Sequence, residues 1–232
     1  MRRLMMTAAL AATLGVSGCD QMPDYVKAFF SKSTLPTNVS AGSYKNQVKV
    51  LFVDPKGPED RNVQLLEPFG FKDSKGVDWD VPAGYVSDGA SVPWSLWTFI
   101  GGPYDGPYRD AAILHDYFCD KKDRPWEQVH AMFLEAAIRR GTPESTAQTM
   151  YAGILYGGPR WPAPPVLKKA QVGPSGPTPK GAVDTGTVKR QATQSEKQQF
   201  EELRIWIEQT KPTPDQIKKR VDEMRAQKGL PK

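Results

Sequence analysis

Asp88-Gly89-Ala90-Ser91-Val92-Pro93-Trp94, a turn-rich passage through Gly101-Gly102-Pro103-Tyr104-Asp105-Gly106-Pro107, and then Arg109-Asp110-Ala111-Ala112-Ile113-Leu114-His115-Asp116-Tyr117-Phe118-Cys119 make up the stretch on which the fold turns. Before it, apolar residues alternate; after it, they recur at spacings of three and four, the change of period that separates strands from helices. One of the two histidines of the chain, His115, lies in its second half and is followed by Asp116. On a helix, adjacent residues point about 100° apart, so this pair does not face itself. His115 is a candidate general base or metal ligand, and Asp116 a candidate cation ligand or orienting carboxylate.

On the N-terminal side, Val48, Val50 and Phe52 alternate with Lys49, Leu51 and Val53, and Asp54 to Gly57 supplies a turn. Val63 to Phe69 predicts a second strand, Gly70 to Gly76 a further turn, and Asp78 to Val86 a third extended segment broken at Pro82. Together they predict a small antiparallel β-hairpin sheet.

On the C-terminal side the spacing predicts a compact unit of three to four helices. Pro93 suits the first turn of a short helix over Ser95 to Phe99, and helices are expected over Tyr108 to Lys121 and, N-capped by Asp123, over Trp126 to Arg140. The second of these carries His130. Gly141 is placed to end it, Pro143 to start the next, and Gly157-Gly158-Pro159 to stop that one. The fold class expected is therefore α+β, with a core domain over 45–161.

Outside that core lie segments of other kinds. Residues 162–192 are rich in Pro, Gly, Thr and Ser and predict a flexible linker. Over 193–228, Thr193-Gln194-Ser195-Glu196 and Thr213-Pro214-Asp215-Gln216 resemble capping boxes opening a pair of helices. Their apolar stripes are thin enough to need burial against a partner or the main body. At the other end, Arg2 and Arg3 precede an apolar run from Leu4 to Val16, the pattern of a secretory signal over 1–18. Val16-Ser17-Gly18-Cys19 resembles the bacterial lipobox, which implies a diacylated Cys19 anchored in lipid, with palmitate among its acyl chains, and a tether over 19–44. Asp20 after that cysteine resembles an inner-membrane retention signal, so the periplasmic face of the inner membrane is the expected location, with the outer membrane as the alternative. An acylated Cys19 leaves Cys119 without a disulfide partner in the chain.

Charge is uneven. From Cys19 to Trp161 there are 15 Lys and Arg against 18 Asp and Glu, net −3; from Pro162 onward there are 14 against 8, net +6. A secreted lipoprotein does not meet nucleic acid, so the basic tail is matched to an anionic envelope component or a protein, or serves solubility alone.

Taken singly, the polar residues of the central stretch have ordinary structural roles: Asp88 before Gly89 makes an Asx-turn or a cap, and Ser91 a local turn hydrogen bond. Taken together they outline a site, with His115 and Asp116 catalytic, Asp88 and Ser91 binding, and a divalent metal ion held by Asp88, Asp116 and His130.

Pro82 to Pro93, Ala111-Ala112-Ile113-Leu114-His115-Asp116-Tyr117 and Phe133-Leu134-Glu135-Ala136 resemble, in that order, an uncharacterised domain-of-unknown-function family found in phage tail-region genes and bacterial genomes. The resemblance covers about Lys45 to Trp161 and implies no established reaction. Where the family has an aromatic residue this chain has Cys119, which argues against a nucleophilic thiol. Where it has an aspartate on the next helix this chain has His130, which converts a hydrogen-bonding carboxylate into a metal ligand or marks a lost activity. Asp110 to Asp116 also resembles the active-site helix of secreted phospholipases A2. That resemblance implies a water-activating His115, a calcium-binding Asp116 and a cation loop at Gly101 to Gly106, with His130 at about the place of the carboxylate that orients the histidine. The function expected is a membrane-anchored periplasmic lipoprotein with an envelope-directed hydrolase domain; the alternative is a non-catalytic envelope or phage-related interaction module.

Overall fold

Short strands with alternating burial open the fold. A computed structural model of the protein describes residues 42–53, 62–89, 106–162 and 193–230. The expected signal segment, Cys19, most of the tether, Ser91, the Ser95 to Phe99 helix, most of the Gly101 to Gly106 loop and the linker lie outside those residues.

The described residues form six strands: β1 (Ser43–Tyr44), β2 (Val50–Phe52), β3 (Val63–Leu65), β4 (Phe69–Lys72), β5 (Asp78–Val81) and β6 (Val86–Ser87). They form two antiparallel three-stranded sheets, ordered β1-β4-β5 and β2-β3-β6. β5 shows the period of 2 plainly, with Trp79 and Val81 buried and Asp78 and Asp80 exposed. Its hairpin with β4 is closed by Asp73, whose Oδ1 accepts from the backbone N–H of Lys75 and Val77 and whose Oδ2 accepts from Trp79 Nε1. The expected turn over Gly70 to Gly76 therefore starts three residues late. Gly70 is a strand residue whose missing side chain matters, because a Cβ there would lie 2.3 Å from Asp80 Oδ1. β1 also takes the last two residues of the expected tether.

Helices follow: α1 (Arg109–Lys121), α2 (Trp126–Arg139), α3 (Glu144–Gly157), α4 (Gln194–Thr210) and α5 (Pro214–Gln227). The observed architecture is α+β. α1 packs on α2, α2 on α3, and α4 and α5 both on α3. The N-cap of α2 is Pro125 and makes no side-chain cap bond. Asp123, expected there, instead lies 3.1 Å from Lys121 Nζ. Gly141 follows α2 at φ +99, a left-handed conformation that a Cβ would oppose.

Burial joins sheet to helices. Phe69, Phe71, Trp79 and Val81 from the first sheet share one core with Leu114, Phe118 and Phe133 from α1 and α2. Glu135 on α2 clamps the sheet from outside, accepting from Gly42 N, Ser74 N and Ser74 Oγ. Both C-terminal capping boxes are formed, and the main body covers their thin stripes. Phe200 meets Tyr156 edge-on at 4.9 Å, and Gln148 Nε2 donates to the Pro212 carbonyl. Among the described residues no helix is long and apolar enough to cross a membrane.

Candidate functional site

Position along α1 decides which side chains meet. His115 and Cys119 are four residues apart and share one face; Asp116 is turned from them. α2 runs back along α1 after the short Lys122 to Pro125 connection, with Lys122 in the left-handed conformation at φ +54. That return sets His130 opposite His115.

The two imidazoles meet at 2.9 Å, His115 Nε2 to His130 Nδ1. Cys119 Sγ lies 3.5 Å from His115 Nε2 and 3.7 Å from Nδ1. One donor atom from each of His115, Cys119 and His130 lies within 4.8 Å of the others, and this is the only such trio of His, Cys, Asp or Glu among the described residues. His115 is 6% exposed and His130 0%. Phe133 packs edge-on to His115 at 5.6 Å, Trp126 lies 5.3 Å from the His130 ring, and Trp161 closes over it at 6.3 Å.

Burial in that aromatic surround disfavours charge on either ring. It pulls His115 down to about 4. His130 falls to about 2, through burial first and then the neighbouring His115 and Arg160. Both rings are therefore neutral near pH 7 and keep a lone pair each. The Pro159 carbonyl lies close enough to His130 to favour its protonated form, yet Nε2 has no partner of hydrogen-bonding geometry. A proton on that Nε2 leaves Nδ1 as the bare nitrogen facing His115. Burial raises the Cys119 thiol, the charges of Asp116 and Asp120 raise it further, and Lys122 opposes them. The thiol is thus protonated at neutral pH and a weak nucleophile.

Asp116 faces the second sheet. Its Oδ2 accepts from Ser87 Oγ at 2.5 Å, and Ser87 Oγ accepts in turn from Gly89 N at 3.1 Å. Gly89 takes φ +87, in the left-handed region that favours glycine. Next to this pair, Tyr85 OH donates to Asp120 Oδ2 at 2.8 Å. Burial holds the Tyr85 hydroxyl protonated, reinforced by the charges of Asp116, Asp120 and Asp88. Asp88 is thus near enough to act on the Tyr85 hydroxyl, and it is not part of the trio around the imidazoles. The expected metal set of Asp88, Asp116 and His130 is not gathered at one point: His130 joins His115 and Cys119, while the two aspartates sit with Tyr85 and Ser87. Ser91 lies outside the described residues. Cys119 is the residue that the motif comparison set aside, and its signal was the four-residue spacing from His115.

Fold and site define an α+β domain organised around a buried imidazole pair beside a partly exposed thiol. Residues 63–154 match the model of the family described as Protein of unknown function (DUF1353). Two proteins of Sinorhizobium fredii (strain NBRC 101917 / NGR234) are similar to it. Uncharacterized protein y4jT is 40% identical over 98 residues, which is 42% of this chain and 29% of that protein. Uncharacterized protein y4iH is 32% identical over 157 residues, which is 67% of this chain and 62% of that protein. The chain thus spans less than two thirds of either relative. No solved structure matches it.

Proposed function

We propose that this protein is a lipid-anchored envelope protein whose domain is a metal-assisted hydrolase centred on His115. The observation that carries the reading is the convergence of His115 and His130 at 2.9 Å, in surroundings that keep both rings neutral. Neutral imidazoles offer lone pairs to a cation, and a bound divalent ion supplies a polarised water near neutral pH. Hydrolysis would divide one water between the products, its hydroxyl going to an acyl or phosphoryl group and its proton to the leaving group. His115 serves as a ligand, because a ring held near 4 is a weak base at pH 7. Asp116, bonded to Ser87, fixes α1 against β6. Asp88, at the exit of β6, is the positioning carboxylate for substrate. Cys19 attaches the protein to the membrane through its acyl chains, and the basic segment after Trp161 faces anionic envelope material.

The experiment is incubation of the full chain with purified bacterial envelope and mass spectrometry of what is released. Products carrying one added water are expected, reduced by about 100-fold or more in His115→Ala, since even second-shell partners of a metal site are worth 10–100-fold. No hydrolysed product, or unchanged release by a folded His115→Ala chain, removes the enzyme.

A second reading, the non-catalytic interaction module, draws support from the burial of both histidines. It predicts that His115→Ala lowers the melting temperature while the chain releases nothing from the envelope before or after the change.

A further inference from the structure

The side chains nearest the imidazole pair differ from those expected to hold a metal ion, and the difference changes which ion fits. We infer that His115 Nε2, His130 Nδ1 and Cys119 Sγ form a three-donor site for one divalent ion of the zinc class. This names the ion and ligands of the metal-assisted reading above, but the site stands on its own geometry whether or not the domain hydrolyses anything.

Distances are the first support. In a tetrahedral zinc site, with Zn–N about 2.0–2.1 Å and Zn–S about 2.3 Å, neighbouring nitrogens lie about 3.3 Å apart and a nitrogen lies about 3.5 Å from a sulfur. Cys119 Sγ stands 3.5 Å from His115 Nε2, and the two nitrogens stand at 2.9 Å. The rings need to part by about 0.4 Å to reach that tetrahedral separation. Three protein donors leave the fourth position open, as zinc sites that bind water or substrate do.

Donor chemistry is the second. Two imidazoles and a thiolate are borderline-to-soft ligands that suit zinc, whereas calcium and magnesium take oxygen. No described carboxylate joins the trio, so these three side chains offer no oxygen ligand to a hard cation.

The surroundings are the third. His130 Nε2 is buried with no partner of hydrogen-bonding geometry, so Nδ1 is the ring nitrogen that faces His115. Gly158 keeps that side open, since a Cβ there would stand 3.3 Å from His130 Nε2. Asp116 and Asp120 put negative charge near Cys119; Lys122 and Arg160 are the opposing cations. Metal coordination removes the thiol proton, so each ion bound releases one proton to solvent, with no change of oxidation state.

The test uses the untagged full chain, dialysed against zinc and then against buffer, with metal content measured per chain. Cobalt substitution adds a second readout, the near-ultraviolet charge-transfer band of a cobalt thiolate. Expected are one zinc per chain, the cobalt band, and zinc affinity weakened by more than about 100-fold in Cys119→Ser and in His130→Asn, a loss exceeding that of a second-shell partner. Cys119 is only partly buried, so Cys119→Ser is expected to keep the circular dichroism of the metal-free chain, and this variant separates lost ligation from lost fold. A wild-type chain with no stoichiometric zinc, or a cobalt band that persists in Cys119→Ser, overturns the site. Zinc bound without any hydrolysed product leaves the site standing and removes the enzyme. Hydrolysis by a chain that binds no metal overturns the site and leaves an enzyme of another kind.

Discussion

Asp116 and His115 adjoin in the chain but serve different neighbours. His115 turns to His130 and Cys119, while Asp116 accepts from Ser87 in a buried bond of 2.5 Å. A hydrogen bond to a buried carboxylate stabilises by about 1.5–3 kcal/mol, so Ser87→Ala is expected to lower unfolding stability by that amount in urea titrations. If Asp116 positions α1 and does not ligate, Ser87→Ala and Asp116→Asn both keep the zinc content of the wild type; loss of metal in either folded variant would return Asp116 to the ligand set. The convergence of His115 with His130 was legible as a possibility, because a chain with two histidines offers one pairing. The division between imidazole and carboxylate sides was legible only in part. The 100° step separates His115 from Asp116, yet nothing in the sequence says which way Asp88 points at the end of β6. Cys119 is legible at the four-residue spacing from His115, and the aromatic that the resembling family carries there argues only against a nucleophilic thiol, not against a ligand.

Elements place these residues, and their ends show where local sequence suffices. Both C-terminal capping boxes were readable from four-residue motifs, since donor and acceptor are supplied by the motif itself. β4 was not readable, because Gly70 signals a turn locally while its actual demand comes from Asp80 and Lys45 closing over it across the sheet. Two glycines at helix ends make a contrasting pair. Gly141 has open space around its Cβ position but φ +99, so Gly141→Ala is expected to cost about 1–2 kcal/mol through backbone conformation alone. It should leave metal binding untouched. At Gly158 φ is −73, which alanine tolerates, but the added Cβ would stand 2.4 Å from the Ile154 carbonyl and 3.3 Å from His130 Nε2. Crowding of that kind costs about 1–3 kcal/mol, and Gly158→Ala is expected to weaken zinc binding as well. Denaturant titration with metal analysis on the two variants checks the contrast; equal metal retention in both would sever the α3 end from the site.

At the scale of the whole molecule, the basic excess after Trp161 is not where the helices are. Residues 193–230 carry 8 Lys and Arg against 7 Asp and Glu, whereas 162–192 carry 5 against 1. Much of the helical charge is also met within the fold. Arg204 pairs with Glu201 and Glu208, Asp222 takes both Lys218 and Arg160, and Arg225 donates to the Tyr156 carbonyl. The helical pair is thus a docked cover on α3, so if the chain is drawn to an anionic surface, the excess charge of the segment before it is expected to supply the attraction. Lys or Arg near such a surface contributes about 1 kcal/mol each at low ionic strength. With Cys19→Ala, the chain is expected to carry no fatty-acid label, which exposes this weaker attraction to measurement. That variant should sediment with anionic vesicles but not zwitterionic ones, and lose binding as salt rises. Adding Lys168→Gln, Lys169→Gln, Lys189→Gln and Arg190→Gln should abolish sedimentation, whereas Lys218→Gln with Lys219→Gln should change it little. Persistent labelling of Cys19→Ala would remove the anchor. Binding that follows the helix substitutions would place the contact on α5, and a chain indifferent to vesicle charge would leave the basic segment with no role beyond solubility.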